Sequence, residues 1–106
     1  MPDDPELRRL LWFLLGGSRG GSNRARVIRR LREKPSNQNQ LASDLGMQYK
    51  AVQHHVKVLV KSSLIVSAGE KYGVTYSLTP WLESRFDMFE EVCKKLSFDQ
   101  GRRDRA

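Results

Sequence analysis

Apolar residues recur at helical spacing from the first turn of the chain. Leu7, Leu10 and Leu11 lead into Trp12-Phe13-Leu14-Leu15, which predicts a helix over residues 5–15 that is apolar all round by its last turn. Pro5 suits the first turn of that helix, where Asp3, Asp4 and Glu6 are favourable near its positive end. The stretch GGSRGGS, residues 16–22, breaks the pattern, and Ser22 is expected to cap a second helix over 23–33. Val27, Ile28 and Leu31 form the inner stripe of that helix, with Arg26, Arg29 and Arg30 pointing away as a soluble face. Lys34-Pro35 ends it. Asn37 and Gln40 have the spacing of a capping box, so a short third helix runs through Leu41, Ala42 and Leu45 and stops at Gly46.

A fourth helix is predicted over 48–62. Tyr49, Val52, Val56, Leu59 and Val60 fall on one face of it, and Lys50, Gln53, His54, Lys57 and Lys61 on the opposite face. Two strand-like runs follow, 64–68 and 74–78, joined by Gly-Glu-Lys-Tyr-Gly at 69–73, which reads as a hairpin. Pro80 opens a last helix over 80–96, whose stripe is Leu82, Phe86, Phe89, Cys93 and Leu96. Residues 99–106 lack an apolar period and read as a disordered tail. The expected fold is therefore mainly α with a small β-hairpin, an α+β arrangement in one domain over 1–98.

Composition changes this picture little, but charge placement changes it more. The chain has 106 residues and 39% hydrophobic content, which suits one globular domain. Residues 19–71 hold eleven Lys/Arg against three acids, whereas the rest of the chain is close to neutral. A basic centre of this kind is the electrostatic footprint of a polyanion partner. The longest apolar run, Leu10–Leu15, is far shorter than the roughly 20 residues that cross a bilayer, and acids occupy the place of a signal peptide's basic start. A cytoplasmic protein with no membrane partner is expected. Cys93 is a lone cysteine, which rules out an internal disulfide and a Cys-rich zinc module. It lies on an apolar stripe, and no catalytic constellation is visible, so an enzyme is the weakest reading.

His54 and His55 invite a metal reading, which helical geometry opposes. Neighbouring helix residues point about 100° apart, and no Cys, Asp or Glu lies within a turn of either on this helix. His54 joins the polar stripe, whereas His55 is expected to pack on the helix flank. No metal site and no cofactor are expected. The stripe suits a DNA groove: Gln can pair with adenine, and Lys can reach guanine or a phosphate.

The short helix, the stop at Gly46 and the prompt start of the next helix make a helix-turn-helix. Ala42, Gly46 and Val52 match its signature, with Leu41, Leu45 and Met47 as apolar partners. The run AVQHHVKVLVKSSLI resembles the recognition helix of ArsR-like winged helix-turn-helix regulators, and the hairpin falls where their wing falls. The glycine-rich stretch before it is similar to small archaeal members of this class. The resemblance covers about residues 22–78, and the helices at 5–15 and 80–96 are additions to that core. It implies a winged helix-turn-helix fold, a homodimer, double-stranded DNA as partner and transcriptional control. Two departures stand out. No cysteine pair lies near the recognition helix, and Gln48 stands where Ser, Thr or Asp would cap it better.

The expected DNA contacts are Gln48, Tyr49, Lys50, Gln53, His54, Lys57 and Lys61 on the recognition helix, Lys71 and Tyr72 on the wing, and Arg19 and Arg24 at the start of the second helix. The two terminal helices have more apolar surface than a small domain easily buries. A homodimer is expected through Leu11, Trp12, Leu15, Leu82, Phe86, Phe89, Cys93 and Leu96. An architectural protein that coats DNA with little sequence preference is the alternative. A winged helix used only for protein contacts is a third reading. No effector and no target sequence can be read from the residues.

Overall fold

The structure, a computed structural model, describes residues 3–69 and 73–98. Helix α1, Pro5–Leu11, starts as its residues dictate: Asp4 caps it by accepting from the Leu7 amide at 3.1 Å, and Pro5 takes the first turn. Asp4 also accepts from Trp81 Nε1 at 2.8 Å and pairs with Arg85 at 3.1 Å, which ties the two ends of the chain together. The expected helix over 5–15 does not stay α-helical, because Trp12–Gly16 continue it as a π-helical turn. That wider turn presents Trp12 and Phe13 to solvent while Leu14 and Leu15 stay buried.

Helix α2 spans Gly21–Glu33 and is entered from Gly20, not from the expected Ser22 cap. The approach is too close for a side chain, since a Cβ on Gly21 would collide with the Leu15 carbonyl. Helix α3, Gln38–Leu45, carries the capping box in full: the Gln40 amide donates to Asn37 Oδ1 at 2.7 Å and the Asn37 amide to Gln40 Oε1 at 2.8 Å. Gly46 ends α3 at φ 66°, a left-handed conformation that costs glycine little, and α4 begins at Tyr49 and runs to Lys61.

Strands β1, Ile65–Ala68, and β2, Thr75–Leu78, pair antiparallel with Ile65 opposite Leu78 and Ser67 opposite Tyr76. Ile65, Ser67, Tyr76 and Leu78 therefore share one face, with Ile65 and Leu78 buried in the core and Val66 exposed on the other. On its far side β2 is bridged to Ser36: the Tyr76 amide donates to the Ser36 carbonyl at 2.8 Å, and the Ser36 amide to the Tyr76 carbonyl at 3.1 Å. This fixes the hairpin to the start of the helix-turn-helix.

The single helix expected over 80–96 is two. Helix α5, Pro80–Glu83, is capped by Thr79, and α6, Phe86–Lys95, starts after Arg85 leaves helical geometry at φ −123° and ψ 31°. Leu82 and Phe86, on either side of the break, are both buried in one core. That core joins α1, α2, α4, both strands and α6. Three core helices with a helix-turn-helix at α3–α4 and a hairpin behind it make a winged helix-turn-helix, with α1 and α5–α6 added at the ends.

Burial corrects the expected dimer seam. Leu11, Leu15, Leu82, Phe86, Phe89 and Cys93 are buried within the chain's own core. The two terminal helices cover each other, so these six side chains do not form an open seam. Trp12 is exposed and Leu96 half-buried, side by side across Gly16. Burial also pushes the Cys93 thiol up to about 11, which makes it a poor nucleophile.

Candidate nucleic-acid interface

Helix α4 divides by chemistry. Val52, His55, Val56 and Leu59 are buried, while Lys50, Gln53, His54, Lys57 and Lys61 are exposed. Tyr49 and Val60, expected on the inner face, are exposed at its edges. Gln48 caps the helix with its backbone only, so its exposed side chain is not engaged in a cap. Among the described residues none of the five polar side chains on the outer face makes a hydrogen bond or ion pair within the chain. They line one side of an open groove of about 860 Å³. Its other side is made by Gln38 at the start of α3 and by Ser67 and Tyr76 of the hairpin, and no acid among the described residues lines it.

The inner face holds α4 in place. His55 sits with its ring against Gly20, and its Nδ1 lies 3.4 Å from Arg24 Nη1. Arg24 is a permanent donor, so Nδ1 accepts and the imidazole carries its proton on Nε2. Burial first, then the charge of Arg24 and the neighbouring His54, hold His55 below the ordinary histidine range. Arg24 itself is only 4% exposed and is not presented as a phosphate contact. Its Nε donates to the Leu14 carbonyl at 3.1 Å, and its Nη2 to Ser18 Oγ at 2.7 Å and the Arg19 carbonyl at 3.0 Å. The reading of Arg24 as a surface cation fails because a glycine-rich loop folds over it. Arg19 remains exposed on that loop.

The soluble face expected on α2 is also altered. Arg26 donates to the Leu45 carbonyl at the end of α3, Arg29 binds Glu90 through one nitrogen at 2.8 and 2.9 Å, and Arg30 pairs with Asp44 at 2.7 Å. Arg29 also lies over the Phe89 ring, 5.2 Å from its centre. These arginines clip α2 to α3 and α6. Lys71 and Tyr72, expected on the wing tip, lie outside the described residues, as does the tail over 99–106.

Tyr76 is the site residue that sequence reasoning missed. Alternation in β2 marks it as inward-facing, which is correct, but the inward face extends past the core into the groove beside α4. The spacing gave no sign of Gln38 meeting it across the fold. Among the described residues no group of three or more His, Cys, Asp or Glu could hold a metal ion, and no helix is long and apolar enough to cross a membrane.

No protein-family model matches the sequence, and no curated protein matches it. Solved structures do match the fold. A probable transcriptional regulator from Pseudomonas aeruginosa is 20% identical, with 88% of this chain and 73% of that one covered at a TM-score of 0.65. The transcriptional regulator BldR from Sulfolobus solfataricus is 16% identical over 88% of this chain and 70% of its own, also at 0.65. HlyU from Vibrio cholerae is 15% identical over 91% and 99%, at 0.61. At these identities the likeness establishes the shared fold.

Proposed function

We propose that the chain is a sequence-specific, DNA-binding transcription regulator of ArsR-like type that acts as a homodimer. One observation carries the reading. The outer face of α4 offers Lys50, Gln53, His54, Lys57 and Lys61 with no partner among the described residues, beside a groove that no described acid lines. Unpaired cations and amides gathered on one helix are suited to a duplex, whose phosphates take the lysines and whose base edges take Gln53. The structural neighbours that are transcriptional regulators support the same reading. In this arrangement Lys50, Gln53 and His54, with Tyr49 and Gln48 at the helix start, enter the major groove. Lys57 and Lys61, the wing residues Lys71 and Tyr72, and Arg19 meet the backbone.

The homodimer reading moves from the buried stripe to the surface around the π-helical turn, where Trp12 and Phe13 are exposed beside Leu96. Trp12→Asp should give a folded monomer in sedimentation, whereas unchanged assembly would reject that surface. The test of sequence reading is a competition titration with selected and scrambled duplexes. Gln53→Ala should cost about 1–3 kcal/mol on the selected duplex and much less on the scrambled one. Equal losses on both would instead favour a protein that coats DNA.

A further inference from the structure

Tyr76 is held at three points. Both of its main-chain groups are bonded to Ser36, at 2.8 and 3.1 Å, and its phenol oxygen accepts from Gln38 Nε2 at 3.1 Å. With the amide so oriented the hydroxyl's acceptor role is filled and its own proton goes to no described residue, while Gln38 Oε1 is itself buried without a partner among them. The half-buried ring lines the groove opposite Lys50, Lys57 and Lys61. A fixed neutral donor facing three ammonium groups, with no acid among the described lining residues, suits an anionic acceptor, and for a DNA-binding chain that is a phosphodiester, which accepts from both. From this we infer that the groove between α4 and the hairpin seats a phosphate of one DNA strand, with Tyr76 Oη donating to it and Gln38 aiming the hydroxyl.

This inference rests on the DNA-binding reading and adds a contact that is neither a cation nor on the recognition helix. The rigidity matters. Ser36 precedes α3 and Tyr76 belongs to the hairpin, so their bridge sets the groove's width before any ligand arrives. The phosphate would then fix how deeply α4 enters the major groove, a positioning role without base preference.

The test is a double-mutant cycle between Tyr76→Phe and duplexes carrying one uncharged methylphosphonate linkage at successive positions. Tyr76→Phe keeps the ring and both bonds to Ser36, and a thermal melt verifies that the hairpin is retained. It should weaken binding about tenfold, as expected for a hydrogen bond to a charged group, on selected and scrambled duplexes alike. The salt dependence should stay unchanged, because a neutral donor displaces no counterion. Wild-type protein should lose affinity at several linkages, and the loss at one of them per half-site should shrink in Tyr76→Phe and partly in Gln38→Ala. The inference is overturned if Tyr76→Phe binds like wild type, if its loss appears on the selected duplex alone, or if every linkage effect persists undiminished. Those results leave the DNA-binding reading standing, whereas wild-type protein that binds no duplex would overturn both.

Discussion

Helices α2 and α4 are each 13 residues long and each carries a cationic outer face, yet the fold uses them in opposite ways. On α2 the charges close on the chain itself. Arg24 is buried among carbonyls, Arg26 and Arg30 hold α3, Arg29 and Arg32 pair with Glu90 and Glu83, and Arg32 lies over the Phe86 ring at 4.1 Å. On α4 the charges stay open. The difference lies in the neighbours: α2 faces the acids of α3, α5 and α6, whereas among the described residues the groove beside α4 is lined by no acid. Counting basic residues along the chain cannot separate a clip from a contact. The position of the acids can.

Several substitutions would break or sharpen this contrast. The largest effect is expected beneath Arg29. Phe89 is fully buried, so Phe89→Asp puts a charge in the core and should cost about 4 kcal/mol or more, leaving no cooperative thermal melt. A variant that melts normally as a monomer would restore the exposed-seam reading. Next is Arg24→Ala, which removes a donor from the Leu14 and Arg19 carbonyls and from His55. It should cost about 2–4 kcal/mol in chemical denaturation, and a loss below about 0.5 kcal/mol would mean the arginine is not a clip.

A smaller effect should appear with pH. The His55 pKa is lowered in the folded chain, so the unfolded chain binds the extra proton more readily. The stability linked to neutral His55 is therefore complete above the unfolded value of about 6.5 and is lost as pH falls from there toward the folded value. Melts between pH 8 and pH 5 should show this fall, and His55→Gln should flatten it. A parallel fall in both proteins would assign the effect elsewhere. The smallest stability change belongs to α4: Lys57→Ala should shift stability by less than about 0.5 kcal/mol, since the lysine has no bonded partner among the described residues.

Legibility in the sequence follows the range of the interaction. The α3 cap, Gly46 and the α4 stripe depend on residues a few positions apart, and all were readable. The break at Ser84–Arg85 was not, because the spacing of Leu82, Phe86, Phe89, Cys93 and Leu96 runs through it without a fault. The apolar pattern marked those side chains for burial but could not say what covers them, and the chain's own α1 does. Arg24 was misplaced and Tyr76 missed for a related reason. Each is defined by partners brought from elsewhere: Leu14 and His55 around the arginine, Ser36 and Gln38 around the tyrosine.

The central claim is that the open face of α4, not basic charge in general, engages DNA. Its most direct test is the salt dependence of duplex binding for three proteins: wild type, the triple variant Lys50→Ala, Lys57→Ala, Lys61→Ala, and Arg26→Ala on α2. The triple variant should lose most of its affinity, and its log–log slope should fall by about two to three per subunit, close to 0.9 for each phosphate contact removed. Arg26→Ala should keep the wild-type slope. Equal slopes for wild type and the triple variant, or an equal fall in Arg26→Ala, would contradict the account.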